Sequence, residues 1–323
     1  MFFQRLIKKI FKPSVVKVLV FNVQNLFLFI DDGSIPNLSE LDEQKWKDLS
    51  HSLNRNKKLK DLYEIARVIE ELDPDIVFMV EVGGVQSLRY FTTLFLKNRY
   101  KDMMIEGNSD RGIDFGYLIK NDFSYQCSIH SSKNSTIAKN EYFSRDCLEL
   151  KVMDGKKVVL STLGVHLKSK LDFRKKDYEG RRKRQKEVRA LVRIFEKRKK
   201  WYGPDTPVML LGDFNGVAST KYYEPEFSPI YQKTSLKDYL EIMNVPLDER
   251  FTHVYFAKGN RVQRQQLDYI FIEDKYGESI DENLSGVYRY PDQFGVDYTI
   301  DSIKEKVALP SDHFPVYMTL KLK

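Results

Sequence analysis

The sequence predicts an α/β protein whose mixed β-sheets are covered by helices. Three observations predict it. Apolar runs rich in β-branched residues stand near both ends of the chain, tight-turn signals join similar runs in the middle, and apolar stripes at helical spacing lie between some of them.

VVKVLVFNV, from Val15 to Val23, is nearly continuously apolar and reads as a buried strand. A polar stretch follows, with the turn signal Asp31-Asp32-Gly33, and reaches to about Asn56. Leu59, Leu62, Ile65, Ala66, Ile69 and Leu72 then recur at helical spacing, and Asp73-Pro74 ends that helix because proline cannot continue it. DIVFMVEV, from Asp75 to Val82, is a second buried strand, and FGYLIK, from Phe115 to Lys120, is another. CLELKVM and KVVLSTLGVHL flank Asp154-Gly155, a hairpin signal. Val188, Leu191, Val192 and Phe195 form the apolar stripe of a long basic helix, and PVMLLGDFN, QQLDYIFI and FPVYMTLKL close the chain as three more strands.

No Gly/Ser-rich or Pro-rich linker interrupts the 323 residues, so residues 15 to 323 read as one large domain behind a short amphipathic, basic segment, residues 1 to 14. Hydrophobic content of 42% is that of a globular chain able to bury a core without staples. The net charge of +7 favours an anionic partner. Much of it lies between Lys168 and Lys200, through Arg181, Arg182, Lys183 and Arg184, and the run suits either a solvated helix face or contact with phosphate. Two cysteines, Cys127 and Cys147, make no disulfide framework, and the expectation is a reducing, cytoplasmic compartment. No apolar run reaches the roughly 18 to 20 residues of a membrane span. In the first segment Phe3, Ile7, Ile10 and Phe11 oppose Arg5, Lys8, Lys9 and Lys12 on a helical wheel. That pattern suits either a terminal helix docked on the body or weak contact with an anionic membrane surface.

Polar residues recur where apolar strands end: Asn22, Glu81, His166, Asp213 with Asn215, Asp268, and Asp312 with His313. Burying any of them unpaired is costly, so the strand ends must present them to solvent, to a metal or to each other. Carboxylates, amides and imidazoles converging in this way supply what an oxygen-ligated metal site needs. The sequence holds no CxxC, HExxH, P-loop lysine motif or dinucleotide fingerprint, so those chemistries are disfavoured.

FNVQNLF, DIVFMVEV, RGIDFGYLIK, GVHLKSK, LLGDFNG, LDYIFI and PSDHFPV follow one another from Phe21 to Val316. In this order they resemble the endonuclease/exonuclease/phosphatase superfamily, which includes pancreatic-type deoxyribonucleases and apurinic-site endonucleases. The bacterial nuclease-like members are the most similar, through the NLF start, the SRD element at Ser144 to Asp146 and the HLKSK turn. The resemblance implies a four-layer α/β sandwich, two mixed β-sheets packed face to face with helices outside. It also implies a Mg²⁺ or Mn²⁺ cofactor, with Glu81 and Asp312 as ligands and Asn22 supporting the ion or its water shell. Asp213 would orient or deprotonate the attacking water and Asn215 would position it. His313, polarised by Asp268, would contact the phosphate, and His166 would stand near the leaving-group oxygen. Arg111 would bind a substrate phosphate while Asp114 orients its surroundings. The chain departs from many members in having Val80 before Glu81 and Val82-Gly83-Gly84 after it.

Phosphodiesters are anionic and repel nucleophiles, so their charge must be neutralised before water attacks. The expected function is therefore a metal-dependent phosphodiester hydrolase, a nuclease acting on DNA or RNA. Lys168, Arg181 and Arg182 join Arg111 as candidate phosphate contacts. Two other readings stay open. One is a phosphoesterase of the same fold acting on a phospholipid, phosphoinositide or nucleotide; the other is a non-catalytic nucleic-acid-binding module.

Overall fold

The computed structural model describes residues 15–322 apart from 34–36, 140, 172–175, 258–260, 293 and 299, so the amphipathic segment 1–14 and its expected docking or membrane contact lie outside the described residues. One six-stranded sheet contains β1 (Val15–Leu26), β2 (Ile76–Val82), β3 (Tyr100–Met104), β4 (Asp114–Lys120), β15 (Gly286–Val287) and β16 (Val316–Lys321), in the order β15-β16-β1-β2-β4-β3. A second contains β5 (Gln126–Ser131), β8 (Cys147–Asp154), β9 (Lys157–His166), β10 (Val208–Asp213), β11 (Leu236–Asp238) and β14 (Asp268–Glu273), in the order β11-β14-β10-β9-β8-β5. Two hairpins stand apart, β6 (Thr136–Ala138) with β7 (Glu141–Tyr142), and β12 (His253–Ala257) with β13 (Arg261–Gln265). The helices are α1 (Glu43–Asp48), α2 (Leu59–Leu72), α3 (Val85–Leu94), α4 (Arg181–Tyr202), α5 (Ser228–Lys233), α6 (Tyr239–Ile242) and α7 (Ile303–Ala308).

Successive strand side chains point to opposite faces, and both faces of the central strands are covered. From β1, Val16, Val18 and Val20 enter the core between the sheets, with Phe78 of β2, Leu150 of β8, Leu211 of β10 and Ile270 of β14. Leu19 and Phe21 face the other way, into a core shared with Leu62 and Ile69 of α2 and Phe91 of α3. Behind the second sheet, Val188, Leu191 and Phe195 of α4 pack on Val165 and Leu210. Helix, sheet, sheet and helix make the expected four-layer sandwich. Double-sided burial is also why these strands read as continuous apolar runs rather than alternating ones.

Strand direction gathers the polar ends. β1 and β2 run parallel, as do β9 and β10, so Asn22, Glu81, His166 and Asp213 leave their strands on the same side. β14 and β16 are antiparallel to their neighbours and start where those strands finish. Asp213 is consequently paired across the sheet with His166 on one side and Asp268 on the other.

Several elements exceed the sequence reading. The polar stretch after β1 contains α1, capped by the Asp42 carboxylate on the Gln44 and Lys45 N–H groups. Helix α3 starts directly after Gly84, and the β12–β13 hairpin pairs HVYFA with the polar RVQRQ. Helix α2 ends as expected, with Asp73 left-handed ahead of Pro74. Cys127 and Cys147 are free thiols.

Candidate active site

The GDFN turn carries the centre of the site. Gly212 has φ 129°, and a Cβ there would sit 1.9 Å from the Val165 carbonyl oxygen, so only glycine lets β10 approach β9 this closely. Asn215 is left-handed, at φ 53°; its N–H donates to Asp213 Oδ1 at 2.8 Å and its side-chain amide to the Leu167 carbonyl at 3.1 Å. The other carboxylate oxygen, Oδ2, accepts from Asn22 Nδ2 at 3.0 Å and lies 3.5 Å from His166 Nε2. Asp213 is buried, and burial followed by the Asp268 charge raises its pKa to about 7.

The two histidines differ in charge. His313 donates from Nδ1 to Asp268 Oδ2 at 2.7 Å. Burial alone would depress its pKa, but the charge and hydrogen bond of Asp268, with Asp213 and Asp312 beyond, carry it up to about 10. Burial, then the positive charges of Arg145 and His313, push His166 well below its ordinary range. One imidazole is thus a cation and the other neutral near pH 7.

Glu81, next to last in β2, has φ 66°, a conformation side chains rarely adopt, which costs on the order of 1–3 kcal/mol and suits a functional position. Its Oε2 accepts from the Asn25 N–H at 3.0 Å, while Oε1 has His166 Nε2 only at 3.9 Å. A register shift between Asn22 and Leu26 makes this contact possible. It places Gln24 and Asn25 in left-handed conformations, so that Gln24 Oε1 takes the Asp312 N–H and Asn25 Oδ1 takes an Arg111 N–H. Lys57 anchors the same bulge through the Gln24 carbonyl at 2.9 Å; burial brings its pKa down to about 8 against the upward pull of Asp61, Asp312 and Glu81. Asn22 is held at both ends, its Oδ1 accepting from the Gln24 N–H and its Nδ2 donating to Asp213. Glu81 Oε1 has no hydrogen-bond donor among the described residues, and a carboxylate oxygen left this way suits a hard divalent cation. The acidic and imidazole groups whose ligand atoms lie within 4.8 Å of one another are His253, Asp312 and His313, and Asp213, Asp268 and His313.

Beside this centre lies a cavity of about 670 Å³ lined by Arg111, Arg145, Lys168, Lys183, Asn108 and Leu171, among others. Arg111 and Lys168 are therefore brought together. Arg181 and Arg182 are exposed and outside that lining, Arg181 pairing with Glu179 at 2.8 Å. Arg145, inside the SRD element, had no assigned role in the sequence. It is buried, its NH1 reaches the His166 and Leu167 carbonyls at 3.4 and 3.5 Å, and its Nε has no partner among the described residues. Asp114 accepts from the Gly107 N–H at 2.9 Å, and its other oxygen is likewise unpartnered among the described residues. The basic helix is neither all solvent face nor all phosphate contact, because Arg184 and Arg198 turn inward to Glu226 and Glu149.

A family model described as Endonuclease/Exonuclease/phosphatase family matches residues 17–322. Among solved structures, truncated Caenorhabditis elegans TDP2 is similar at TM-score 0.59 and 17% identity, over 96% of this chain and 99% of that one. D. rerio TDP2 complexed with single strand DNA product gives 0.56 and 17%, over 95% and 99%. An endonuclease/exonuclease/phosphatase family protein from Bacteroides thetaiotaomicron gives 0.56 and 16%, over 96% of each chain. At these identities the likeness is one of fold. No curated protein matches the sequence.

Proposed function

The chain belongs to the endonuclease/exonuclease/phosphatase family, and from its site we propose that it is a divalent-metal-dependent phosphodiester hydrolase acting on nucleic acid. One observation carries the reading. Asp213, with a pKa near neutral, is held by Asn22 and Asn215 between a cationic and a neutral histidine, next to a basic cavity.

In this reading Asp213 takes the proton of the attacking water, and a base placed this way typically contributes about 10²- to 10⁴-fold. Its two hydrogen bonds fix the carboxylate plane, so no reorientation is needed during attack. His313, oriented by Asp268 through Nδ1, offers Nε2–H to a phosphate oxygen. Neutral His166, against Asp213 and Glu81, stands where the leaving-group oxygen departs. Arg145 and Arg111 contact the phosphate, with Lys168 and Lys183 following the strand along the cavity. Glu81 and Asp312, with Asn22 behind them, would hold Mg²⁺ or Mn²⁺, which when bound neutralises charge on the phosphoryl and departing oxygens.

Nucleic acid is favoured because the cavity extends the positive charge beyond one phosphate, and because a D. rerio protein of this fold is recorded with a single-strand DNA product. Plasmid, single-stranded DNA, RNA, phospholipid and inositol phosphates, each with Mg²⁺, Mn²⁺ or EDTA, test the proposal. Turnover of nucleic acid should vanish in EDTA and return with either ion. Binding should weaken with salt by about 0.7 to 0.9 log units per contacted phosphate. Full activity in EDTA would overturn the metal mechanism; cleavage of a lipid or small phosphoester in place of nucleic acid would overturn the substrate class.

A further inference from the structure

Lys306 takes no part in the chemistry above, yet it stands against it. The residue lies on α7, whose start is set by a capping box between Ser302 and Glu305. Its ammonium is 2.8 Å from the Val254 carbonyl, 3.0 Å from His253 Nε2 and 3.4 Å from Asp312 Oδ2. An ammonium has three N–H donors and no acceptor, so it meets all three groups as a donor or a charge. The imidazole nitrogen facing it accepts from the ammonium in the Nδ1–H tautomer. That Nδ1 is buried and has no hydrogen-bond partner among the described residues. His253 Nε2 also lies 3.4 Å from Asp312 Oδ2. The ammonium, 3.0 Å from the one and 3.4 Å from the other, bridges the two.

An imidazole nitrogen, a carboxylate oxygen and a backbone carbonyl are donors that a divalent ion would take. His253 and Asp312 belong, with His313, to a cluster whose potential ligand atoms lie within 4.8 Å of one another, and His313 is already engaged by Asp268. We propose that Lys306 is a tethered cation filling a second cation position beside Asp312, which limits the site to a single divalent ion and withholds His253 from it. This rests on the reading of Glu81 and Asp312 as holding that ion. Two-metal phosphoryl-transfer sites place their second ion about 3.5–4 Å from the first; here a side chain supplies charge that does not exchange with solvent. Withholding the imidazole leaves oxygen donors, which favours Mg²⁺ or Mn²⁺ over Zn²⁺.

Co²⁺ is a suitable probe, because its visible absorption reports nitrogen ligation. Followed by absorption and calorimetry, Lys306→Met should take up one more Co²⁺ than the wild type, with a band that disappears in Lys306→Met/His253→Ala. In the wild-type background, His253→Ala should leave both spectrum and stoichiometry unchanged. A folded Lys306→Met variant that gains no ion would overturn the proposal. So would a changed Co²⁺ spectrum in His253→Ala alone, a comparison that holds even if Lys306→Met does not fold. Glu81→Gln separates the two readings. It should abolish the wild-type ion yet leave the additional ion when combined with Lys306→Met, whereas retention of the wild-type ion in Glu81→Gln sinks the Glu81 assignment alone.

Discussion

Two regions of the molecule bury charged groups and treat them differently. On α4, Arg184 is fully buried, and its guanidinium bonds Glu226 and the carbonyls of Lys168 and Glu179 at 2.8 and 3.1 Å. Arg198 donates to Glu149 at 2.7 Å, and the other oxygen of that carboxylate takes Ser161 and Tyr202. At the strand ends, by contrast, His166 Nδ1, Arg145 Nε, Asp268 Oδ1 and Asp114 Oδ1 are buried without a partner among the described residues. Completed pairing holds a fold together. Incomplete pairing is costly unless something else completes it, and so it marks where a ligand belongs.

The contrast is sharpest if each region is broken in turn. Asp213→Asn keeps the shape of the site and removes the base, so kcat should fall by about 10²-fold or more while substrate affinity changes little. The melting temperature should hold or rise, because a buried carboxylate has been neutralised. Single-turnover kinetics beside a melting curve measure both, and a wild-type kcat would mean the site is misplaced.

Arg184→Met should do the reverse. It leaves Glu226 as a buried charge without its partner, and breaking such a pair costs about 3–5 kcal/mol. Urea unfolding reads this directly, and Arg184→Met/Glu226→Leu should recover much of the loss. A single variant as stable as the wild type would show that pairing on α4 contributes nothing.

Asp238 lies between these extremes and predicts the smallest effect. Its Oδ2 accepts from Gln266 at 2.8 Å and its Oδ1 from the Leu240 N–H at 3.4 Å, and burial raises its pKa to about 7. An unfolded aspartate titrates near 3.9, so between roughly pH 4 and 7 the native state binds more protons than the unfolded one. By linkage this group's contribution to stability falls as pH rises through that window and is level above it. Asp238→Asn keeps the helix cap and should gain on the order of 1–3 kcal/mol over the wild type between pH 4 and 8. Parallel stability profiles across that range would show that Asp238 titrates normally.

The fold and the centre of the site were legible for a local reason. Asn22, Glu81, His166, Asp213 and Asp268 are each the polar end of an apolar run, a feature visible within ten residues. The seven ordered landmarks then supplied the sandwich, and the family match spans residues 17–322. Arg181 and Arg182 open α4 and are both exposed, and Lys183 beside them lines the cavity, so the density of charge does not by itself say which cations of the run face it. Nothing local distinguishes Lys57 or Lys306, lysines in polar stretches, or His253, the first residue of the strand HVYFA.

What the sequence determined by itself was which strands are buried on both faces, where they end, and which titratable groups stand at those ends. Periodicity and turn chemistry act over a few residues, so the chain states them openly. Only the tertiary structure decided which of those groups share a proton, which arginine faces the cavity and which cation sits beside Asp312. Asn22 reaches Asp213 across 191 positions and His313 reaches Asp268 across 45. Groups at that separation interact only once the strands have brought their ends to one edge, and there burial raises one pKa and lowers the next.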